Sequence, residues 1–256
     1  MTALLVDIGN TRIKWARLDA GRLSKARAAV HSTWRTGDYA RRLLGSNPPE
    51  RVLVSSVAGS KVNQALAAAA RRAGAKVEFV SVPRRGGGVT VGYVEPWRLG
   101  VDRFVAAVGG HQLFQGVAVC VVAVGTAMTL DLVGADGRHR GGAIIPAPHL
   151  MVETLFSQTN GIRRRAQGGA GGGTGLFGRS TRAGVIQGAR YAAAALIDRA
   201  VAEAVMLVGR RPLVVVTGGG AGVVRPLLQS PCVGVPDLVL RGLAVMTQSL
   251  PPTPHR

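Results

Sequence analysis

Asp7 is a carboxylate set inside an apolar run, Leu4-Leu5-Val6-Asp7-Ile8, and that run stops at Gly9-Asn10-Thr11. Glycine has no Cβ and reaches positive φ, so a turn of this composition lets backbone N–H groups come close to an anion. A second run of the same construction, Val121-Val122-Ala123-Val124, ends in Gly125-Thr126-Ala127. Two such turns facing each other would hold a polyphosphate between two half-molecules. Burying a carboxylate is costly unless donors or a cation compensate it. Asp7 could take hydrogen bonds from the turn that follows it. It could instead face a phosphate-bound Mg²⁺, directly or through water, and the recurrence of the turn favours this second role.

A further acidic residue stands in Gly100-Val101-Asp102-Arg103, which opens a helix after the aromatic stretch 93–97. A carboxylate at a helix start is favoured by the macrodipole. The same carboxylate could accept a proton from a substrate hydroxyl while Arg103 clamps a substrate carboxylate with its planar fork. Spacing alone leaves both roles open. Gly173-Thr174-Gly175-Leu176-Phe177-Gly178 matches the dinucleotide fingerprint in form, but it follows glycines and not a strand, and is set aside. No Gly-x-x-x-x-Gly-Lys-[Ser/Thr] is present, which excludes a P-loop. Gly218-Gly219-Gly220 follows an apolar run and could seat a nucleotide base or ribose, or serve as an ordinary strand-to-helix turn.

The elements that must position these residues fall into two similar halves. Strands are expected at 3–9, 12–18, 52–57 and 77–82, with a short helix at 39–44 and an alanine-rich helix at 61–73 ending at Gly74. Segment 84–88 reads as a glycine-rich loop, and 100–113 as an amphipathic helix. In the second half, a hairpin at 117–124 and 129–133 leads through the turn 135–137 to a third strand near 142–145. Helices at 148–156 and 182–205 and a strand at 213–217 follow. Segment 167–178 is so glycine-rich that it reads as a mobile loop. With 256 residues, two cores are expected, 1–115 and 116–256.

The net charge of +19 raises nucleic acid or an acidic membrane as partners. The surplus is nearly all arginine and is spread along the chain in pairs such as Arg41-Arg42 and Arg210-Arg211, with no aromatic-and-basic cluster, so solvated faces explain it better. No apolar stretch is long enough to span a bilayer, and Met1 leads into a strand containing Asp7 and not into a leader, so a cytoplasmic protein is expected. Cys120 and Cys232 suit neither a disulfide framework nor zinc and read as small hydrophobes. The five histidines show no ligand spacing.

Taken together, the motifs resemble the type III pantothenate kinase family over essentially the whole chain. The anchors are Asp7-Ile8-Gly9-Asn10-Thr11-Arg12-Ile13-Lys14, Tyr93 with Gly100-Val101-Asp102-Arg103, Val124-Gly125-Thr126-Ala127, Gly141-Gly142 before Pro146, Thr181, and Thr217-Gly218-Gly219. The resemblance implies an α/β fold of two duplicated ribonuclease H-like (actin-like ATPase) domains with a cleft between them. It implies transfer of the ATP γ-phosphoryl group to the terminal hydroxyl of pantothenate, the first step of coenzyme A synthesis. On that pattern Asp7, Ile8, Gly9, Asn10, Thr11, Arg12, Ile13 and Lys14 form the first phosphate loop and Thr126 also contacts ATP. Asp102 is the proton acceptor, and Tyr93, Gly100, Val101, Arg103 and Thr181 hold pantothenate. Mg²⁺ accompanies ATP, and a homodimer is implied, with no specific nucleic acid and no membrane. Family members also use a monovalent cation, K⁺ or NH₄⁺, held in part by an aspartate where this chain has Ala123, which removes the main anionic ligand. Two other readings remain: a kinase of the same fold for another small hydroxy acid or sugar, and a nucleotide- or nucleic-acid-binding regulator without turnover.

Overall fold

The computed structural model describes residues 2–167 and 175–249, and within them the chain folds into two compact units. The first takes the chain up to Gln115, the short stretch Ala135–His139 and the described residues from Asp237 onward; the second takes Gly116–Gly134 and Arg140–Pro236.

In the first unit, β1 (Thr2–Ile8) and β2 (Arg12–Asp19) form an antiparallel hairpin, extended on the β2 side by β3 (Arg22–Leu23) and β4 (Arg27–Val30). A one-turn helix α1 (Thr36–Tyr39) runs into a wider turn at Ala40–Leu44, and then come β5 (Arg51–Ser56), α2 (Ser60–Arg72) and β6 (Lys76–Phe79). β1, β5 and β6 are mutually parallel, which requires the helical crossovers seen here. Side chains of a strand alternate between faces. Leu4, Val6 and Ile8 of β1, with Ile13 and Trp15 of β2, pack on Leu66, Ala69 and Ala70 of α2. Asp7 and Lys14, which are cross-strand partners, therefore sit on the opposite face of the sheet.

That opposite face is covered by helices. A small hairpin, β7 (Arg85–Gly86) with β8 (Val89–Thr90), stands where the sequence predicts a loop, and α3 spans Val101–Leu113. The predicted amphipathic character of α3 is absent: Arg103 through Gly110 are all buried. The cause is coverage from three sides, with β5 beneath, the β7–β8 hairpin against Phe104 and Val108, and a helix from the chain's far end alongside.

The second unit repeats the plan. β9 (Val119–Val124) and β10 (Ala127–Val133) form the hairpin, β11 (His139–Pro146) lies beside β10, and β12 (Leu213–Thr217) and β13 (Cys232–Gly234) continue the sheet parallel to β9. Between them run α4 (Pro148–Gln158), α5 (Asn160–Arg165), α6 (Thr181–Val208) and the one-turn α7 (Ala221–Val224). α6 is fixed at both ends, since the Ser180 side chain accepts a hydrogen bond from the Ala183 N–H and Gly209 closes it in the left-handed conformation. Its Ala193, Ala194, Ile197 and Val201 bury against Val122, Met128, Val214 and Val216. Cys120 is buried in that core and its thiol is pushed up to about 12 by desolvation and then by Asp131, so it acts as a small hydrophobe; Cys232 is half-buried. The glycine-rich segment 167–178, predicted to be mobile, lies for the most part outside the described residues.

The last helix, α8 (Leu238–Ser249), belongs to the first unit, packing on α3, β1, β2 and β5. A single division at 115/116 does not contain this return. α3 and α8 meet backbone to backbone: a Cβ on Gly109 would lie 2.7 Å from the Leu238 carbonyl oxygen, and one on Gly242 would overlap the Val105 carbonyl. Gly242→Ala forces the two helices apart and is expected to destabilise by about 2–4 kcal/mol. Thermal unfolding should show a Tm drop of at least about 5 °C; an unchanged Tm would mean that the helices separate at little cost.

Candidate functional site

Alternation along β1 places Asp7 on the face that α3 and α8 cover, and both helices begin beside it. Asp102 is the second residue of α3, and its Oδ1 accepts the Arg103 backbone N–H at 2.9 Å. Asp237 immediately precedes α8, where its carbonyl accepts the Arg241 N–H at 3.1 Å. Lys14 bonds Asp237 Oδ1 at 3.3 Å. Desolvation, then the charges of Asp102 and Asp237, raise the Asp7 pKa to about 7, and Lys14 offsets them only in part. Asp7, Asp102, Lys14 and Asp237 thus share one electrostatic neighbourhood drawn from four separate segments. Of these, Asp237 had no part in the sequence reading, although Pro236-Asp237 before an apolar run is a helix-start signature that could have found it.

The turn after β1 is closed by the Gly9 N–H donating to the Arg12 carbonyl at 2.9 Å, and His31 Nε2 donates to the Gly9 carbonyl at 2.8 Å. Asn10, Thr11 and Arg12 on its crest are exposed, which leaves the turn open to a ligand. Ile8 and Ile13 are core residues that anchor it. The matching turn after β9 is closed by the Gly125 N–H donating to the Ala127 carbonyl at 2.9 Å, with exposed Gly125 followed by exposed Thr126. Ala123 occupies in the second unit the place Asp7 holds in the first, two residues before the turn glycine. Its strand neighbours in register are Thr129 and Thr217.

Tyr93 and Arg103 come together. Arg103 is buried, its Nη1 donates to the Tyr93 hydroxyl at 3.2 Å, and its guanidinium carbon lies 5.9 Å from the ring centroid. Arg84 fixes the segment by donating to the carbonyls of Tyr93 and Val94 at 2.8 and 2.7 Å. His139, buried, adds a ring contact to Tyr93 at 5.7 Å between centroids. It arrives on the stretch 135–139, which the Gly137 carbonyl ties to the Thr90 N–H; nothing local in the sequence marks that pairing. Gly100 approaches the Asp102 carboxylate so closely that a Cβ there would be 2.8 Å from Oδ1, and half-buried Val101 begins the helix.

In the second unit, Thr181 is the first residue of α6. Gly218, at φ +94°, and Gly220 lie against Val124, where side chains would collide with its backbone and Cγ1. Beside them is a cavity of about 370 Å³ lined largely by apolar atoms, including Val124, Pro148, Ile186, Arg190, Gly220 and Val223. Its size suits a small ligand. Among the described residues no group of three or more His, Cys, Asp or Glu could hold a metal ion, and no helix is long and apolar enough to cross a membrane. A carboxylate cluster with one lysine, an exposed glycine turn and a buried guanidinium can together neutralise an oxyanion, orient a hydroxyl and receive its proton.

The chain is similar to known proteins along its length. The model of the family described as type III pantothenate kinase matches residues 3–203. A protein of that name from Nitrosococcus oceani is 38% identical over 251 residues, covering 94% of this chain and 92% of its own. Component A of the (R)-2-hydroxyglutaryl-CoA dehydratase from Acidaminococcus fermentans superposes with a TM-score of 0.56 at 13% identity over 96% of each chain. A ROK family glucokinase from Streptomyces griseus superposes with a TM-score of 0.52 at 14% identity, over 97% of this chain and 100% of its own. At such identities the two structures speak to the fold alone, and it is the duplicated ribonuclease H-like fold of actin-like ATPases and sugar kinases.

Proposed function

The chain belongs to the type III pantothenate kinase family, and from that premise we propose that it transfers the γ-phosphoryl group of ATP to the terminal hydroxyl of pantothenate, in coenzyme A synthesis. The observation that carries this reading at the level of residues is the electrostatic coupling of Asp7, at the end of β1, to Asp102 and to its cross-strand partner Lys14. The family pattern assigns the phosphates of ATP to residues 7–14 in the first unit and to Thr126 in the second. Asp102 accepts the proton of the attacking hydroxyl. Arg103 takes the pantothenate carboxylate, with Tyr93, Gly100 and Val101 beside it in the first unit; the family pattern assigns Thr181 to the same substrate. The cavity beside Gly218 and Gly220 receives the base or ribose. Phosphoryl transfer relies on positioning and charge neutralisation, which this set of residues supplies.

Mg²⁺ fits the donor set, because Asp7 is a hard oxygen ligand in a neighbourhood whose carboxylates outnumber its cations. Asp7 would hold the ion through water, and bound there it neutralises charge on the transferring phosphate. We also take the protein to be a cytoplasmic homodimer, a state that light scattering of the purified protein would check. A coupled ADP-release assay tests the activity: turnover must depend on pantothenate as well as ATP, and its absence removes the reading. With Ala123 between Thr129 and Thr217 there is no carboxylate at that point of β9 to attract K⁺ or NH₄⁺. Exchanging sodium for potassium at constant ionic strength is therefore expected to change kcat less than about twofold, whereas loss of a real cation site would cost a factor of ten or more.

A further inference from the structure

We infer that Asp237 is a positioning residue for phosphoryl transfer: paired with Lys14, it holds the ammonium beside the turn that receives the phosphate chain of ATP. This rests on the assignment of that turn to ATP. Three observations carry it. The first is placement. Lys14 is the cross-strand partner of Asp7 and shares its face of the sheet, so the ammonium bonded to Asp237 also acts on the Asp7 carboxylate. Of the ammonium's three N–H donors, one is committed to Asp237 among the described residues.

The second is energetic. The two side chains are 26% and 30% exposed, and an ion pair at that depth contributes about 0–1 kcal/mol to stability. The Asp237 charge adds to the repulsion that Asp102 already exerts on Asp7. A third carboxylate there is a poor device for stability, but it fixes a long side chain that carries about 2 kcal/mol of rotamer entropy. The third is backbone conformation. Asp237 is one of two non-glycine residues at positive φ among those described, at φ 55°. A left-handed residue costs about 1–2 kcal/mol outside glycine, less for Asp or Asn. Glycine would relieve that strain and still start α8, so the carboxylate is retained against the backbone's preference.

The test uses steady-state kinetics of the full chain with ATP and pantothenate varied separately. Asp237→Asn keeps the shape and the left-handed tolerance while removing the charge. It is expected to raise KM for ATP about tenfold, about 1.4 kcal/mol, with KM for pantothenate within about twofold and Tm within about 2 °C. Asp237→Gly, which relaxes the backbone, should give the same KM change. Lys14→Ala should raise KM for ATP at least as much, and the double variant Lys14→Ala/Asp237→Asn should be no worse than Lys14→Ala alone, because Asp237 acts through Lys14. Multiplying effects, or an Asp237→Asn enzyme with unaltered KM for ATP while Lys14→Ala is impaired, overturns the positioning role and leaves the ATP assignment standing. A Lys14→Ala enzyme with unaltered KM for ATP overturns the ATP assignment, and this inference with it.

Discussion

Asp102→Asn is expected to lower kcat by about 10²–10⁴-fold, the range typical of a lost general base, while the dissociation constant for ATP stays within about twofold. The amide is nearly the size of the carboxylate and its oxygen can still accept the Arg103 N–H that Asp102 accepts now, so the start of α3 has no reason to unravel. What vanishes is a proton acceptor on the first turn of a helix, beside Asp7. The substitution also removes the largest charge effect that pushes the Asp7 pKa up, so the Asp7 carboxyl of the variant should titrate lower than that of the parent. Single-turnover phosphoryl transfer read beside calorimetric ATP binding separates the two effects. Parental rates in this variant would take Asp102 out of the proton-accepting role, and equally weakened ATP binding would make it a binding residue instead.

Asp7→Asn is expected to cut kcat/KM for Mg·ATP by about 10²-fold or more, and at the same time to stabilise the ligand-free protein. The stability effect has a defined direction with pH. Burial and two nearby carboxylates lift the Asp7 pKa to about 7, above the ordinary carboxylate value of 3.8. Between those values the folded chain keeps a proton that the unfolded chain has lost. The contribution of Asp7 to stability is therefore most favourable below about pH 4, declines as pH rises to about 7, and is flat beyond. Asparagine does not titrate, so the difference in Tm between variant and parent should widen in favour of the variant from pH 5 to pH 8. Thermal scans at the two pH values, set beside initial rates, check both halves. A variant as active as the parent would leave Asp7 a structural carboxylate, and a Tm difference independent of pH would contradict the raised pKa.

Much of this site is written locally. The apolar run around Asp7, the glycine turns after β1 and β9, and the Gly100–Arg103 helix start are each readable because strand alternation, glycine permissiveness and helix capping act within a few residues. Asp237 and His139 escaped because what gives them meaning is far away in the chain: Lys14 for one, Tyr93 for the other. The same reason explains α3, whose sequence allows an amphipathic helix and whose burial from Arg103 through Gly110 depends on α8 and on the β7–β8 hairpin. β4 was missed for a different cause. Its residues are mostly exposed, so no alternating pattern marks a strand that is held by backbone pairing with β2.

The return of α8 to the first unit also orders events during synthesis. Leaving the ribosome, the nascent chain presents β1 to α3 early, yet the partner of Gly109 has still to be translated. At about 5–20 residues per second, the roughly 120 residues separating α3 from α8 occupy on the order of 6–25 s. During that interval the bare flank of α3 has only solvent or a chaperone to cover it. The second unit, nearly continuous in sequence, is then the one that can mature first, even though it is made second.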